Sequence, residues 1–195
     1  MLPLLLASAS PRRRELLERV GVPLDVRPVD VDETPRAAEP PRAYVARIAR
    51  DKANAARRVP GQWVVAADTT VTIDGEILGK PASGDEAADM LRALSGRVHE
   101  VITAWTILGE TASEGMVATE VEMIAMDEQA IAAYVASGEW RGKAGAYAIQ
   151  GIGAALVRGV RGSVTNVIGL PLVEVLAALR AAGAPSARLE HGIAQ

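Results

Sequence analysis

Leu4-Leu5-Leu6-Ala7 is an uninterrupted apolar run, and behind it the period changes: Leu16, Leu17 and Val20 fall on one face at helical spacing. This pattern predicts a short buried strand, then a helix with Ser10 as N-cap and Pro11 at its first position. Gly21-Val22-Pro23 reads as a turn, and Leu24 to Val29 alternates as an edge strand does. A helix is predicted from Pro41 to Arg58, with a stripe of Val45, Ile48, Ala49 and Ala56 that also carries Lys52. Trp63 to Ala67 is a continuous apolar strand, of the kind buried on both faces, which Asp68-Thr69-Thr70 should end.

Farther along, Val71–Ile73 and Glu76–Leu78 flank Asp74-Gly75, a tight hairpin. Ser83 with Glu86 fits a capping box for a helix to about Leu94, with Gly96 at its end. Two long strands, Val98 to Leu108 and Met116 to Met126, are joined by a loop from Gly109 to Gly115. Asp127 should cap a helix from Glu128 to about Ala136, stopped by Ser137-Gly138. A glycine-rich loop from Gly142 to Gly151, a strand near Ala154–Val160 and a final helix from Pro171 to about Ala182 complete the pattern. Helices and strands interleave without repeats or a dividing linker. The class is therefore α/β with a mixed sheet, as a single domain over residues 1–183 with a frayed tail over 184–195.

Composition narrows the function. The 195 residues are 49% hydrophobic and 23% charged, so a well-buried core is expected. A net charge of −3 argues against a nucleic-acid-coating protein, and 3% aromatics without phenylalanine argue against base stacking along a strand. Cysteine is absent, which removes disulfides, thiolate nucleophiles and Cys-ligated zinc. The apolar N-terminus lacks a preceding basic region and contains Pro3, unlike a signal peptide, and no stretch approaches the roughly 20 apolar residues of a membrane span. A cytoplasmic location without membrane association is the expectation.

Arg12, Arg13 and Arg14 crowd the first turn of the first helix, the wrong end for cations in the field of the helix dipole. An anion at the helix mouth removes the conflict, because free N–H groups, serine hydroxyls and guanidinium forks all grip phosphate. Arg12 and Arg13, beside Ser8 and Ser10, are assigned to such a site, and Arg14 to solvent. Lys52 on an apolar stripe either snorkels outward or points into a cleft that needs a positive charge, and spacing alone leaves both open. Asp68 after a buried strand sits where α/β sheets place ligands, suited to holding a metal or accepting a proton; a turn cap explains it equally well. Asp30, Asp32 and Glu33 form an acidic loop that can supply a second hard ligand.

Other motifs fail. Gly79-Lys80-Pro81 is one residue short of a P-loop and has proline where Ser or Thr is needed. Gly151-Ile152-Gly153 lacks the third glycine of a dinucleotide fingerprint. His99 reads as structural, His191 lies in the tail, and no serine sits in a nucleophile elbow.

The ordered set Leu6-Ala7-Ser8-Ala9-Ser10-Pro11-Arg12-Arg13, Asp32-Glu33, Arg47 to Lys52, Ala67-Asp68-Thr69, Gly79-Lys80-Pro81, Leu94-Ser95-Gly96 with His99, Gly142 to Gly151, and Gly169-Leu170-Pro171-Leu172 resembles the Maf family of nucleoside triphosphate pyrophosphatases across most of the chain. The chain departs from the family pattern at Ala148 and Ala104, where glycine is usual, and at Val164, where an aromatic is usual; none belongs to the charged set. The resemblance implies an elongated Maf/ITPase-like mixed sheet flanked by helices, with a nucleotide cleft between two lobes, and frequently a homodimer. It implies hydrolysis between the α- and β-phosphates with a divalent cation, Mg2+ or Mn2+. It assigns Asp68 as proton acceptor, Glu33 and Asp68 to the metal, and Ser8, Arg12, Arg13, Lys52, Thr69, Lys80 and Gln150 to the nucleotide. Arg12, Thr69 and Gln150 match the branch acting on dTTP and UTP, with modified pyrimidine nucleotides as further substrates. The alternatives are another base preference, 7-methyl-GTP or a deaminated purine, and a nucleotide-binding regulator of cell division that does not hydrolyse.

Overall fold

The structure, a computed structural model, describes residues 2–186. Seven strands form one mixed sheet: β1 (Leu4–Leu6), β2 (Leu24–Val26), β3 (Val64–Ile73), β4 (Glu76–Leu78), β5 (Val98–Leu108), β6 (Ala112–Met123) and β7 (Val157–Arg161). The order is β2-β1-β3-β5-β6-β7, with β4 added to the far end of β3. β1 runs parallel to both β2 and β3, and the pairings of β3 with β4, β3 with β5, β5 with β6 and β6 with β7 are antiparallel. The helices are α1 (Pro11–Arg19), α2 (Pro41–Ala55), α3 (Gly84–Leu94), α4 (Glu128–Ser137), α5 (Val164–Ile168) and α6 (Leu172–Ala181).

Strand alternation sorts the core into layers. On one face, Val65, Ala67, Trp105 and Ile107 pack against Leu16 and Leu17 of α1 and Val175 and Leu179 of α6. Farther along the same face, Val71, Ile73, Val101 and Val121 pack against Leu91 and Leu94 of α3 and Ile131 and Tyr134 of α4. On the other face, α2 lays Val45, Ile48 and Ala49 over Ile102 and Ala104, and Ala53 over Val64 and Ala66. The two clusters on the first face are the two lobes; β3 and β5 contribute side chains to both, and β6 is paired alongside β5 for its whole length.

Several boundaries differ from the sequence reading. β3 does not end at Asp68: it continues to Ile73, because the threonines and β-branched residues that follow extend the strand along β5. β6 begins at Ala112, so the link after β5 is a tight turn closed by Gly109 N–H to Thr111 C=O at 2.9 Å. α2 stops at Ala55, three residues before Arg58, and β2 stops at Val26. The strand expected from Ala154 starts at Val157, after a 3-10 turn over Ile152–Leu156. α5 has no counterpart in the expected elements. Ser10 gives no side-chain cap to α1; its N–H instead donates to Ser8 Oγ at 3.2 Å. The Asp127 cap and the Asp74-Gly75 hairpin, with φ of 54° and 84°, form as expected. At Ser83 the hydroxyl accepts the Glu86 N–H, but the Glu86 carboxylate reaches the Ala82 N–H at 2.7 Å rather than that of Ser83, so the expected capping box is displaced by one residue on that side. Of the expected tail, Ala184 packs into the first core cluster, and residues 187–195, His191 included, lie outside the described residues.

Candidate active site

The sheet itself creates the site. β1 pairs with β3 only at Val64 and Val65, and β4 only at Val71 to Ile73. Between them, positions 66–70 of β3 are paired on one side alone, by β5. Asp68 lies in the middle of this open edge. A buried carboxylate is tolerated there because the edge opens into a cleft. β1 delivers Ser8 and the mouth of α1 to one side, and the β4 end delivers Lys80 to the other.

A cavity of about 290 Å³ is lined by Ser8, Arg12, Arg13, Glu33, Lys52, Asp68, Thr69, Lys80 and Gln150. These are all the residues that the resemblance assigns to the site, drawn from β1, α1, the acidic loop, α2, β3, the hairpin end and the glycine-rich loop; Asp30 and Asp32, the other carboxylates of the acidic loop, do not line it. A wider cavity of about 770 Å³ adjoins it, sharing Glu33, Asp68, Thr69 and Lys80 and extending past Pro35, Tyr44 and Ile77.

Lys52 answers the question its stripe left open. Its side chain is buried and its ammonium lies 2.6 Å from Glu33 Oε1 and 2.8 Å from Asp68 Oδ1. Lys80 reaches the other Glu33 oxygen at 3.5 Å. Burial acts to raise the Glu33 pKa, but the hydrogen bond and charge of Lys52, with Lys80 behind it, hold the carboxylate below its usual range. The acidic loop is pinned to α2: Tyr44 Oη donates to Glu33 C=O at 3.0 Å, and Arg47 binds Thr34 C=O and both oxygens of Glu39. Asp32 turns away to accept the Thr34 N–H.

Arg13 is buried and committed mainly to the protein. It donates to Gly169 C=O at 2.8 Å, Ser8 Oγ at 3.2 Å and Thr69 Oγ1 at 3.0 Å. Thr103 Oγ1 donates to Asn166 C=O, so the Thr69 hydroxyl, 2.9 Å from it, can donate to Thr103. A polar chain thus runs from α1 through β3 and β5 to α5. Arg12 is half-buried, with Nε donating to Ile168 C=O at 3.2 Å. Burial lowers the pKa of both guanidiniums, which nonetheless stay cationic at neutral pH. Arg14 is exposed and paired with Glu18 at 2.7 Å, as its assignment to solvent requires.

Lys143 was not nominated, yet it lines the same cavity. Partial burial and then the charge of Arg12 lower its pKa. It sits in a glycine-rich loop without periodicity; its only sequence signal was a cation between glycines in a segment already marked for resemblance. The opening therefore holds five cations around two carboxylates, a field suited to a polyanion. His99 lies outside the cavity, buried, with Nε2 2.8 Å from Tyr147 Oη; burial pulls its pKa down to about 4, so it is neutral and structural.

A family model described as Maf-like protein matches residues 3–182. A protein named dTTP/UTP pyrophosphatase from Anaeromyxobacter dehalogenans strain 2CP-1 is 54% identical over 187 residues, covering 93% of this chain and 95% of the relative. Another of that name, from Myxococcus xanthus strain DK1622, is 51% identical over 183 residues, covering 93% of each chain. Among solved structures, a HAM1 protein from Coxiella burnetii aligns with a TM-score of 0.46 at 18% identity, over 80% of this chain and 92% of that one.

Proposed function

This chain belongs to the Maf family, and on that premise we propose that it is a nucleoside triphosphate pyrophosphatase that hydrolyses dTTP and UTP, with modified pyrimidine nucleotides as further substrates. The observation that carries the reading is the convergence of every residue the resemblance assigns on one cavity at the open edge of β3.

Hydrolysis of a phosphoanhydride is largely a matter of positioning and charge stabilisation. Arg12, Lys52, Lys80 and Lys143 neutralise the triphosphate, and Ser8 and the first N–H groups of α1 add neutral donors. Arg13 braces Ser8 and Thr69 and offers its remaining N–H groups to phosphate. Asp68 accepts the proton of the attacking water. The new bond joins that water's oxygen to the α-phosphorus, the bond from that phosphorus to the bridging oxygen breaks, and pyrophosphate leaves beside the monophosphate. Gln150 presents a donor and an acceptor to the pyrimidine edge, and Thr69 adds a hydroxyl contact.

Glu33 and Asp68 fit a divalent cation. Both direct an oxygen at one cationic centre, the Lys52 ammonium, and two carboxylates with phosphate oxygens and water form the hard donor set that Mg2+ or Mn2+ takes. Such an ion, when bound, supplies a more acidic water and charge neutralisation at the phosphates.

No helix among the described residues is long and apolar enough to cross a membrane. The reading extends to a single-domain cytoplasmic enzyme, acting as a homodimer on free nucleotides rather than nucleic acid. The test is a panel of nucleoside triphosphates with Mg2+ or Mn2+, scored for pyrophosphate against phosphate release, beside Asp68→Asn. Pyrimidine preference with pyrophosphate release, lost in Asp68→Asn while nucleotide binding persists, is expected. Preference for a purine refutes the branch, phosphate release refutes the bond cleaved, and full turnover by Asp68→Asn refutes the mechanism.

A further inference from the structure

Gln150 lines the cavity and makes no side-chain hydrogen bond to the described residues. Its backbone belongs to neither a strand nor an α-helix, so the accuracy with which it presents its amide must come from elsewhere. We infer that Glu139 is a positioning residue for base recognition, holding the loop on both sides of Gln150 from beneath; this rests on the reading of Gln150 as the side chain that meets the base.

The geometry is specific. Gly138, at φ 71°, turns the chain out of α4, and the Glu139 N–H is fixed by Ser137 Oγ at 3.2 Å. On the far side of Gln150, Glu139 Oε1 accepts the Ile152 N–H and Oε2 the Gly153 N–H, each at 2.8 Å. On the near side, Tyr134 Oη accepts the Ala148 N–H at 3.2 Å and donates to Glu139 Oε2 at 2.7 Å. One carboxylate therefore gathers both flanks of the loop.

The loop also lies directly upon it. A Cβ at Gly151 would come within 1.7 Å of Glu139 Oε1, and one at Gly153 within 2.7 Å of Ala148 O. Glycine at 151 lets the backbone approach the carboxylate, and glycine at 153 lets the far limb of the loop close on the near limb at Ala148. The partners of Glu139 are N–H groups and a phenol, and no cation lies within ion-pair distance of it among the described residues. This is the arrangement of an anchor for backbone rather than of a surface salt bridge. Burial acts to raise the Glu139 pKa, but the Tyr134 and backbone hydrogen bonds outweigh it and keep the group ionised at neutral pH. Ionised acceptors make the stronger hydrogen bonds.

The experiment compares Glu139→Gln, Tyr134→Phe, Gln150→Ala and the Glu139→Gln/Gln150→Ala double variant. Amide hydrogen exchange over residues 148–153 is measured alongside kinetics with UTP and CTP. Glu139→Gln preserves shape but loses charge and one acceptor; exchange in the loop should quicken about tenfold or more, and KM for UTP should rise about tenfold with kcat changed less than about threefold. Preference for UTP over CTP should fall with it, and Tyr134→Phe should produce a smaller change of the same kind. In the Gln150→Ala background, Glu139→Gln should alter selectivity by less than about twofold. Unchanged exchange in Glu139→Gln, a loss confined to kcat, or an undiminished selectivity effect without Gln150 would each overturn the inference. If Gln150→Ala itself leaves selectivity intact while Glu139→Gln frees the loop, the base-reading role of Gln150 is what fails.

Discussion

Replacing Lys52 by alanine removes the ammonium that two carboxylates share. Its contacts of 2.6 Å to Glu33 and 2.8 Å to Asp68 mean that those two oxygens lie no more than about 5.4 Å apart. Two unit charges at that distance repel by roughly 3 kcal/mol at an effective dielectric constant of about 20. The Glu33 side chain is 39% exposed, so water screens part of this, and a destabilisation of about 1–2 kcal/mol at pH 7 is the expected result.

The pH dependence has a definite sign. The folded-state pKa of Glu33 is lowered in the native protein, so its stabilisation is present above the unfolded glutamate value of about 4.5 and lost as pH falls through the lower folded value. Lys52→Ala lacks that contribution at every pH. The gap between native and variant should therefore be widest near pH 7 and narrow progressively below about pH 4.5, and added Mg2+ should stabilise the variant more than the parent. The assay is urea unfolding at pH 7 and pH 4, with and without Mg2+, beside pyrophosphate release. Activity should fall by 100-fold or more, as about 3 kcal/mol of lost charge stabilisation of the transition state requires. Arg58→Ala is the control: that guanidinium lies beyond the end of α2 and, among the described residues, binds only the carbonyls of Gln62 and Gly109. Equal and small activity losses in both variants, or a stability gap no smaller at pH 4 than at pH 7, would refute the reasoning.

Three further outcomes are expected. Lys143→Ala should raise KM for the triphosphate about tenfold with stability unchanged within about 0.5 kcal/mol, read from steady-state kinetics and a melting curve. His99 has a folded pKa of about 4 against about 6.5 unfolded, so the unfolded chain binds the extra proton; stability should fall by about 3 kcal/mol between pH 7 and pH 4 on its account, and this slope should shrink by one proton in His99→Gln. Gly145→Ala should destabilise by about 1–3 kcal/mol in urea unfolding, since the residue sits at φ 67° and a Cβ would meet Val71 at 2.9 Å.

The sequence carried most of the elements and all of the nominated cavity residues, and its failures have physical causes. Asp68-Thr69-Thr70 reads as a strand end because aspartate is rare in strands, yet here the strand tolerates it where β1 has stopped and β4 has not begun. No local pattern encodes that gap, which arises from two other segments. The start of β6, Ala112-Ser113-Glu114-Gly115, has weak strand propensity and is held by its ladder with β5. α5 has only five residues, too few to show a period, although Ser163 caps it. Arg12 and Arg13 were legible as a pair facing an anion, but not that Arg13 spends three hydrogen bonds bracing Ser8, β3 and the loop after α5. Lys52 was legible as an anomaly on its stripe; only the packing of α2 over β3 turned it into half of a charge cluster.

The interruption along the edge of β3 has a mechanical meaning as well. Behind the opening, β3, β5 and β6 pass from one lobe to the other as a hydrogen-bonded slab, with β5 registered against β3 from Val64 to Thr72 and against β6 along its whole length. Widening the mouth therefore means flexing a plate rather than swinging on a loop, and the gape is set by the curvature of the sheet. Gly115 on β6 underlies the ring of Trp105, where a Cβ would fall 2.2 Å from the indole. A side chain there, outside the cavity lining and two strands across from Ala67, would bend the plate and retune the grip at its mouth.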